Sequence, residues 1–344
     1  MTSNAPQQKR VFVTRRIAEP ALERLRTAAE VEVWPGQMPP PHGELVARLN
    51  KIDGVLSMVS DRLDAETIAG APRLLVISNL AVGVDDIDLA AATRASIPVG
   101  HTPGVLTETT ADLAFALLMA AARRVAEGDR FVRDGRWRTW APAIMLGQDV
   151  YGATLGILGW GAIGRAVARR GAGFGMRILY TTRDSKRTAD AAKAPAGADH
   201  TDLARLLAES DFVSIHVPLT STTHHLIGAR ELAAMKRGAI IINTARGPIL
   251  DQQALFDALA SGHLAGAGLD VTEREPIAMD DPLLTLPNVV ITPHIGSASH
   301  ATRLKMAELA VDNLLDVFAG KMPRHCANPA VRSKNSSRNP GQLP

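Results

Sequence analysis

The feature that most constrains the fold of this chain is a regular alternation of two kinds of segment. Short runs rich in valine and isoleucine are followed by stretches whose apolar residues recur at helical spacing. Strands that alternate with helices form parallel sheets, and the helices cover both faces of each sheet. The alternation occurs before residue 103 and again from Ala153, so the 344 residues predict two α/β domains.

The segment between these two α/β regions has a different character. Helical spacing extends from about Leu106 to Ala126 and predicts one long helix. We call residues 128–151 the arm, and its irregular pattern predicts a loop. The arm contains Trp137 and Trp140, which predict a buried contact either with a second subunit or within the chain.

Composition and charge argue against several classes of function. The formal net charge is only +3, and part of it lies in residues 328–344, which are rich in Pro, Asn, Ser and basic residues and are predicted to form a disordered tail. The charge therefore predicts no nucleic-acid partner. Cys326 is the only cysteine, so we expect no intrachain disulfide, and neither the cysteine nor the histidines predict a metal site.

Signals for export or membrane insertion are not evident in the sequence. The first residues, MTSNAPQQKR, lack the apolar core of a signal peptide. The longest apolar helical stretch lies near Leu113 to Ala122 and is too short to span a bilayer. We therefore expect a cytoplasmic protein with no membrane partner.

A glycine-rich turn marks the start of the second α/β region. Residues 153–165 read ATLGILGWGAIGR, in which a predicted strand precedes the glycines and a predicted helix follows them. In this context Gly159 permits a tight turn, Gly161 lets the backbone approach a pyrophosphate, and Gly164 allows the helix to pack closely on the strand. The free N–H groups at the helix start attract phosphates. The predicted cofactor loop comprises Gly159, Trp160, Gly161, Ala162, Ile163 and Gly164.

The residues at the end of the next strand predict which dinucleotide binds. A site selective for NAD carries an acidic residue there, which accepts from the ribose 2′-hydroxyl. This chain has Thr181-Thr182-Arg183 instead, with Lys186 and Arg187 close behind. Cations without an acid at the strand tip favour the 2′-phosphate of NADP(H). Asp184 can compete for Arg183, so NAD(H) use stays open, and a solvated basic loop is the alternative interpretation.

Four motifs in order give the chain a resemblance to a known family. They are the glycine turn at 159–164, MKRGAIIINTARGPILD at 235–251, GAGLDVTEREP at 266–276 and TPHIG at 292–296. With these motifs the sequence resembles the D-isomer-specific 2-hydroxyacid dehydrogenases, and among them the glyoxylate/hydroxypyruvate reductases. The resemblance extends from about Arg10 to Pro329.

The resemblance implies a particular arrangement of the two domains. The family places a flavodoxin-like substrate-binding domain at both chain ends and inserts the NAD(P)-binding Rossmann domain between them. Here that arrangement gives residues 1–103 and 295–327 to the substrate domain and residues 104–294 to the cofactor domain. We therefore expect an α/β fold with two Rossmann-like domains, each a parallel sheet flanked by helices.

Reduction of a 2-oxo acid requires a cation for the carboxylate and an acid for the developing alkoxide. Arg246 follows the predicted strand AIIINTA, and its planar fork can clamp a carboxylate. His294 follows the strand VVITP and can donate a proton near neutral pH. Glu275 would accept from the other ring nitrogen of that histidine. Within the motifs these three residues are the predicted catalytic set.

The resemblance also implies further binding residues. Val82 and Gly83 would offer backbone N–H groups to the substrate carboxylate, where Arg246 and His294 also bind. Asp270 would help to position the nicotinamide rather than act as the acid. The remaining cofactor contacts implied by the resemblance, or by the strand end discussed above, are Thr182, Arg183, Thr244, Ala245 and Gly296.

The predicted function is NAD(P)H-dependent reduction of glyoxylate or hydroxypyruvate by a homodimer, with NADP(H) preferred and His294 as the proton donor. Within the family, another D-2-hydroxyacid dehydrogenase substrate remains open. A cofactor-sensing, corepressor-like protein of the same fold is the alternative from a different class.

Overall fold

A computed structural model describes residues 8–183 and 197–331 of the chain. The chain divides into two compact units. Unit 1 comprises Met1–Leu106 and Ser299–Pro344, and unit 2 comprises Thr107–Ala298. In the described part of the chain, no helix is both long enough and apolar enough to cross a membrane.

Unit 1 is built on a five-stranded parallel sheet. The strands are β1 (Lys9–Val13), β2 (Ala29–Val33), β3 (Gly54–Ser57), β4 (Val76–Asn79) and β5 (Val99–Gly100). Their order, β2-β1-β3-β4-β5, is that of flavodoxin-like folds. Because all strands run the same way, the residues that follow β3, β4 and β5 leave the sheet at one edge.

Four short helices follow the first strands of unit 1. They are α1 (Glu19–Arg26), α2 (His42–Leu49), α3 (Ala65–Ala69) and α4 (Leu89–Arg94). The C-terminal helix, His300–Phe318, belongs to the same unit and packs its apolar stripe on the sheet. In that contact Ala310 and Leu314 of the helix join Val11 and Val76 of the strands in one buried cluster.

The residues after the C-terminal helix extend unit 1 further than predicted. Asn328 was expected to begin a disordered tail, yet it is buried, and its side chain accepts from the N–H of Val99 at 2.8 Å. Its amide also donates to the Ile97 carbonyl at 3.0 Å and to Thr93, so it serves as a bridge between segments. Val331 is buried too. The predicted tail therefore starts too early, and its residues 332–344 lie outside the described part.

Unit 2 contains a seven-stranded parallel sheet. Its strands are β6 (Thr154–Leu158), β7 (Arg177–Thr181), β8 (Ala198–His200), β9 (Phe212–Ile215), β10 (Ile240–Asn243), β11 (Gly266–Leu269) and β12 (Val289–Ile291). The order β12-β11-β10-β9-β6-β7-β8 reverses between β6 and β9. In open α/β sheets such a switch point forms the crevice that binds a dinucleotide.

Helices cover both faces of this second sheet, and the apolar core of unit 2 consists of two clusters. The helices are α5 (Thr107–Ala122), α6 (Val125–Arg133), α7 (Ala162–Gly173), α8 (Leu203–Glu209), α9 (Ala229–Ala234) and α10 (Gln252–Ala260). The predicted α/β class with two Rossmann-like sheets is thereby confirmed. Strand β8 was not predicted. Helices α3, α4, α8 and α9 were predicted only as helical segments between strands, without bounds, because each is too short to show a clear period.

The predicted helix from Leu106 to Ala126 is two helices. Helix α5 ends at Ala122, and Arg124 adopts a left-handed conformation with φ 54° before α6 begins at Val125. The guanidinium of Arg124 donates to both carboxylate oxygens of Glu127, at 2.8 and 2.7 Å, in the first turn of α6. This paired contact stabilises the break, and the start of the arm is helical rather than irregular.

Candidate active site

Three adjacent parallel strands carry the predicted catalytic residues to one edge of the sheet in unit 2. Asn243 at the end of β10 pairs with Leu269 at the end of β11, and Leu269 pairs with Ile291 at the end of β12. Arg246 lies three residues after the end of β10, and His294 lies three residues after the end of β12. Neighbouring strands are about 4.8 Å apart, so these segments leave the sheet side by side.

His294 and Glu275 form a direct pair. The ring Nδ1 of His294 lies 2.7 Å from Oε2 of Glu275, and each side chain keeps about a third of its surface exposed. Because a carboxylate only accepts, Nδ1–H is the donor in this contact. The Nε2 side of the ring is therefore available for a proton that can be transferred.

The backbone at His294 is unusual, and Asp270 supports it. His294 has a left-handed conformation, with φ 53°. The buried Asp270 carboxylate accepts from the N–H of Ile295 at 2.8 Å and from the N–H of Gly296 at 2.7 Å. It also accepts from the Thr292 hydroxyl at 2.6 Å. Both carboxylate oxygens thus organise the loop that carries His294.

Arg246 sits on a loop that is packed tightly against its neighbour. The Asn243 amide donates to the Arg246 carbonyl at 2.9 Å, and the Arg246 guanidinium donates to the Ala245 carbonyl at 2.8 Å. A Cβ atom at Gly247 would overlap the carbonyl of Thr272, in the segment that leads to Glu275. Only glycine at this position lets the two loops lie so close.

The glycine turn has the geometry that a pyrophosphate requires. Gly159 has φ 105°, and a Cβ there would lie 2.6 Å from the His216 carbonyl oxygen. A Cβ at Gly164 would overlap the Gly159 carbonyl, so the helix packs directly on the turn. Gly161 is the N-cap of α7 and has no side chain to cap the helix. The N–H groups in the first turn of α7 are thus left for an anionic ligand.

Two of the other predicted cofactor residues differ in how they can contribute. The Trp160 side chain is fully buried and stacks on Tyr180 with ring centroids 3.8 Å apart, so only its backbone can meet a ligand. The Thr244 hydroxyl is buried and finds no hydrogen-bond partner among the residues that the structure describes. A bound nicotinamide dinucleotide would give that hydroxyl a partner, and with the open turn this shows that the residues present fit the group.

The end of β7 was predicted to select the cofactor. In the described part of the chain it carries one positively charged side chain, Arg183. Thr181 ends β7, and Arg183 is exposed just beyond it. The Arg183 guanidinium donates to the Thr222 hydroxyl at 2.7 Å, which gives the side chain a defined direction. Asp184, Lys186 and Arg187 lie outside the described residues.

Val82 and Gly83 belong to unit 1. They follow β4 at the carboxyl edge of that sheet and are half-buried. Among the described residues, no group of three or more histidine, cysteine or acidic side chains is arranged to hold a metal ion.

His216 is a second histidine next to the glycine turn. It follows β9, its N–H donates to the Leu158 carbonyl at 2.7 Å, and its ring lies 2.8 Å from the Ser214 hydroxyl. Although the residue as a whole is half-buried, burial of its ring lowers its pKa to about 3. The ring is therefore neutral near pH 7.

Sequence reasoning missed Gly247, Thr222 and His216. Gly247 stands directly after Arg246 inside a recognised motif, so a glycine required by close packing was a usable signal. Thr222 lies in the run STTHH with no spacing that points to Arg183, and only the folded chain brings the two together. The position of His216 becomes meaningful once β9 is known to lie beside β6.

A glycine turn at the switch point of a parallel sheet, with an arginine and a paired histidine at the same edge, is typical of an oxidoreductase that uses a nicotinamide dinucleotide. Residues 115–296 match the family described as D-isomer specific 2-hydroxyacid dehydrogenase, NAD binding domain. The chain belongs to this family and is an NAD(P)-dependent D-2-hydroxyacid dehydrogenase. The predicted resemblance is confirmed.

Relatives match along almost the whole chain. A glyoxylate reductase from Korarchaeum cryptofilum is 53% identical over 323 residues, which cover 94% of this chain and 96% of that protein. The crystal structure of a protein from Thermus thermophilus is 50% identical with a TM-score of 0.86, covering 92% of this chain and 99% of that one. An NADPH-dependent glyoxylate/hydroxypyruvate reductase from Sinorhizobium meliloti, in complex with NADP and malonate, is 32% identical with a TM-score of 0.83 and covers 95% and 99%.

The low pKa of His216 predicts a contribution to acid sensitivity. In the unfolded chain this histidine takes up a proton as the pH falls below its ordinary pKa of 6.5, whereas the folded chain does not until about pH 3. Between these values the unfolded state binds more protons, so stability falls as the pH is lowered. From pH 7.5 to pH 5 the wild type should lose about 2 kcal/mol more than His216→Gln. Urea unfolding without cofactor measures this, and parallel stability curves would contradict it.

Proposed function

We propose that the protein reduces glyoxylate or hydroxypyruvate to the 2-hydroxy acid with NADPH, and that His294 donates the proton. The observation that carries this proposal is the 2.7 Å contact between His294 and Glu275 at the sheet edge where Arg246 also emerges. The names of similar proteins, glyoxylate reductase and glyoxylate/hydroxypyruvate reductase, support the substrate class.

The reaction adds a hydride to the carbonyl carbon and a proton to the carbonyl oxygen, and a bound reduced nicotinamide supplies the hydride. His294 releases its proton from Nε2, because Nδ1–H is held by Glu275. The Glu275 carboxylate keeps the ring oriented before and after transfer. The proton lost from Nε2 is replaced from solvent, which reaches the partly exposed ring.

We assign Arg246 to bind and polarise the substrate. A planar guanidinium can form two parallel bonds to a carboxylate or turn one donor toward the keto oxygen. The Asn243 side chain holds the Arg246 loop by donating to the Arg246 carbonyl and accepting from the N–H of Ala245, so the Arg246 side chain starts from a fixed backbone. We assign Val82 and Gly83 of unit 1 as N–H donors to a carboxylate.

Another 2-oxo acid of similar size would use the same residues as glyoxylate. Steady-state activity is therefore to be compared with both cofactors across a panel of 2-oxo acids that includes glyoxylate, hydroxypyruvate and pyruvate.

Replacement of His294 tests the proton donor. His294→Ala should lower kcat for glyoxylate reduction by about 10²-fold or more, because general acid catalysis is worth that much, while the Kd for NADPH changes little. The matched control is His263→Ala. It removes a ring that lies away from the site and donates to the Leu232 carbonyl at 3.1 Å. Near-normal turnover in His294→Ala would overturn the assignment.

The preference for NADPH rests on the end of β7. Thr181 and Thr182 carry no charge that would repel a 2′-phosphate, and Arg183 offers a guanidinium that can stack on adenine and pair with the phosphate. The Sinorhizobium meliloti reductase is named NADPH-dependent and was crystallised with NADP. Because Arg183 also bonds to Thr222, its donors are shared, and use of NADH as a second cofactor is the fallback.

Arg183→Ala should weaken NADPH far more than NADH. Loss of a charge-assisted contact should raise KM for NADPH by about tenfold to a hundredfold and leave KM for NADH within about threefold. Arg177→Ala is the control, since Arg177 lies at the opposite end of the same strand and bonds to Glu209. Equal losses with both cofactors would show that Arg183 does not read the phosphate.

We also propose that the chain forms a homodimer through the arm and helix α6. Apolar side chains are concentrated there and are strongly exposed, with Trp140 at 74% and Tyr151 at 82%. Exposed apolar surface of this extent is typical of a subunit interface. The other members of the set are Val125, Val132, Trp137 and Leu146.

Light scattering at micromolar concentration should give the mass of two chains. Trp140→Ser should shift the equilibrium toward the monomer, because it removes a large apolar contact. Met279→Ser, which changes an equally exposed side chain outside the arm, should leave the mass unchanged. A monomeric wild type would end this proposal.

A further inference from the structure

Three successive carbonyl groups in the loop that follows β4 in unit 1 accept hydrogen bonds. The Ala81 carbonyl accepts from the N–H of Thr102 at 2.8 Å. The Val82 carbonyl lies 2.9 Å from Nδ1 of His101, and since a carbonyl only accepts, the ring N–H is the donor. The Gly83 carbonyl accepts from the Asn79 amide at 2.8 Å.

These three contacts determine where the N–H groups of the loop point. In a trans peptide the carbonyl and the following N–H face opposite ways. With the carbonyls of residues 81, 82 and 83 turned toward their donors, the N–H groups of Val82, Gly83 and Val84 are turned away from them. Within the described residues, those three N–H groups have no hydrogen-bond acceptor in the protein.

The donors are themselves held in place. Asn79 is buried, and the Ser57 hydroxyl contacts its amide oxygen at 3.4 Å, which leaves the nitrogen directed at the loop. The His101 N–H donates to the His325 carbonyl, and the His101 carbonyl accepts from the buried Asn313. The backbone of His101 is thus fixed from both sides, independently of its ring.

We propose that His101 and Asn79 are positioning residues that turn the N–H groups of Val82, Gly83 and Val84 outward to receive the carboxylate of the substrate. This inference rests on the proposed function and adds to it the side chains that shape the loop. A row of N–H groups that face one way is a binding site for an anion. The ring of His101 acts through the loop and does not itself touch the substrate.

The ring of His101 can be changed with little risk to the fold, because its structural bonds to His325 and Asn313 are made by the backbone. His101→Ala removes the donor to Val82. His101→Asn restores one, since an asparagine amide nitrogen occupies nearly the same position as Nδ1. His263→Ala is the matched control, because it also removes a ring that donates to a backbone carbonyl, that of Leu232.

The experiment measures kcat and KM for glyoxylate, together with the Kd values for NADPH and for oxalate by calorimetry. Oxalate serves as a carboxylate that has no reducible carbonyl. In His101→Ala, KM for glyoxylate and the Kd for oxalate should both rise about tenfold, the scale of one charge-assisted hydrogen bond, with kcat and the Kd for NADPH within about twofold. His101→Asn should recover most of the loss, and His263→Ala should show none.

The outcomes separate this inference from the proposed function. Unchanged oxalate binding in His101→Ala, or no binding of oxalate to the wild type, would overturn the positioning role. A fall in kcat with KM unchanged would overturn it as well. If the wild type bound oxalate but reduced no 2-oxo acid, the proposed function would fail, and the oxalate Kd of the variants would still decide the role of His101.

Discussion

The buried carboxylate of Asp270 is the interaction on which the arrangement of the candidate site depends. It accepts hydrogen bonds from Ile295, Gly296 and Thr292, which surround His294 on both sides. Removal of this acceptor would take the partner from the N–H groups of Ile295 and Gly296 in the loop that follows β12, which is costly because the Gly296 contact is buried. The carboxylate thus holds the turn that directs the His294 ring at Glu275.

Close approach of backbone to backbone is the second constraint, and it recurs at both halves of the site in unit 2. Gly247 lies against the Thr272 carbonyl, and Gly159 lies against the His216 carbonyl. In each case the absence of a side chain lets the loop that follows one strand contact the loop that follows the neighbouring strand in the sheet. Parallel strands set the spacing of these loops, and glycine lets the loops keep that spacing beyond the sheet.

The fold could be predicted from sequence because its signals are local. Strand β6 and the start of helix α7 were recognised from alternation and glycine spacing within thirteen residues, 153–165. The split of the long helix was missed because it depends on the backbone of one residue, Arg124, and its paired contact with Glu127. The order at Asn328 was missed because its partners, Ile97 and Val99, lie more than two hundred residues earlier.

The candidate site was predicted in its residue types but not in its supporting contacts. The pairing of His294 with Glu275 was expected from the motifs and is present. The roles of these residues in catalysis, and those of the binding residues, stay predictions. The contacts of Arg183 with Thr222 and of His101 with Val82 connect segments whose sequences contain no shared pattern. Hydrogen bonds between separate loops form only when the chain folds.

The return of the C-terminal helix to unit 1 has a consequence for the order in which the chain acquires structure. Unit 2 is continuous, from Thr107 to Ala298, and its residues have all been translated before the C-terminal helix begins. Unit 1 needs contacts such as Ser78 with Ala310, which span 232 residues. A ribosome that synthesises this chain thus exposes the first five strands, with one face of their sheet covered only in part by α1, throughout the translation of the whole second unit. The stretch from Lys9 to Gly100 is then the part most in need of protection by a chaperone, while unit 2 can fold as it emerges.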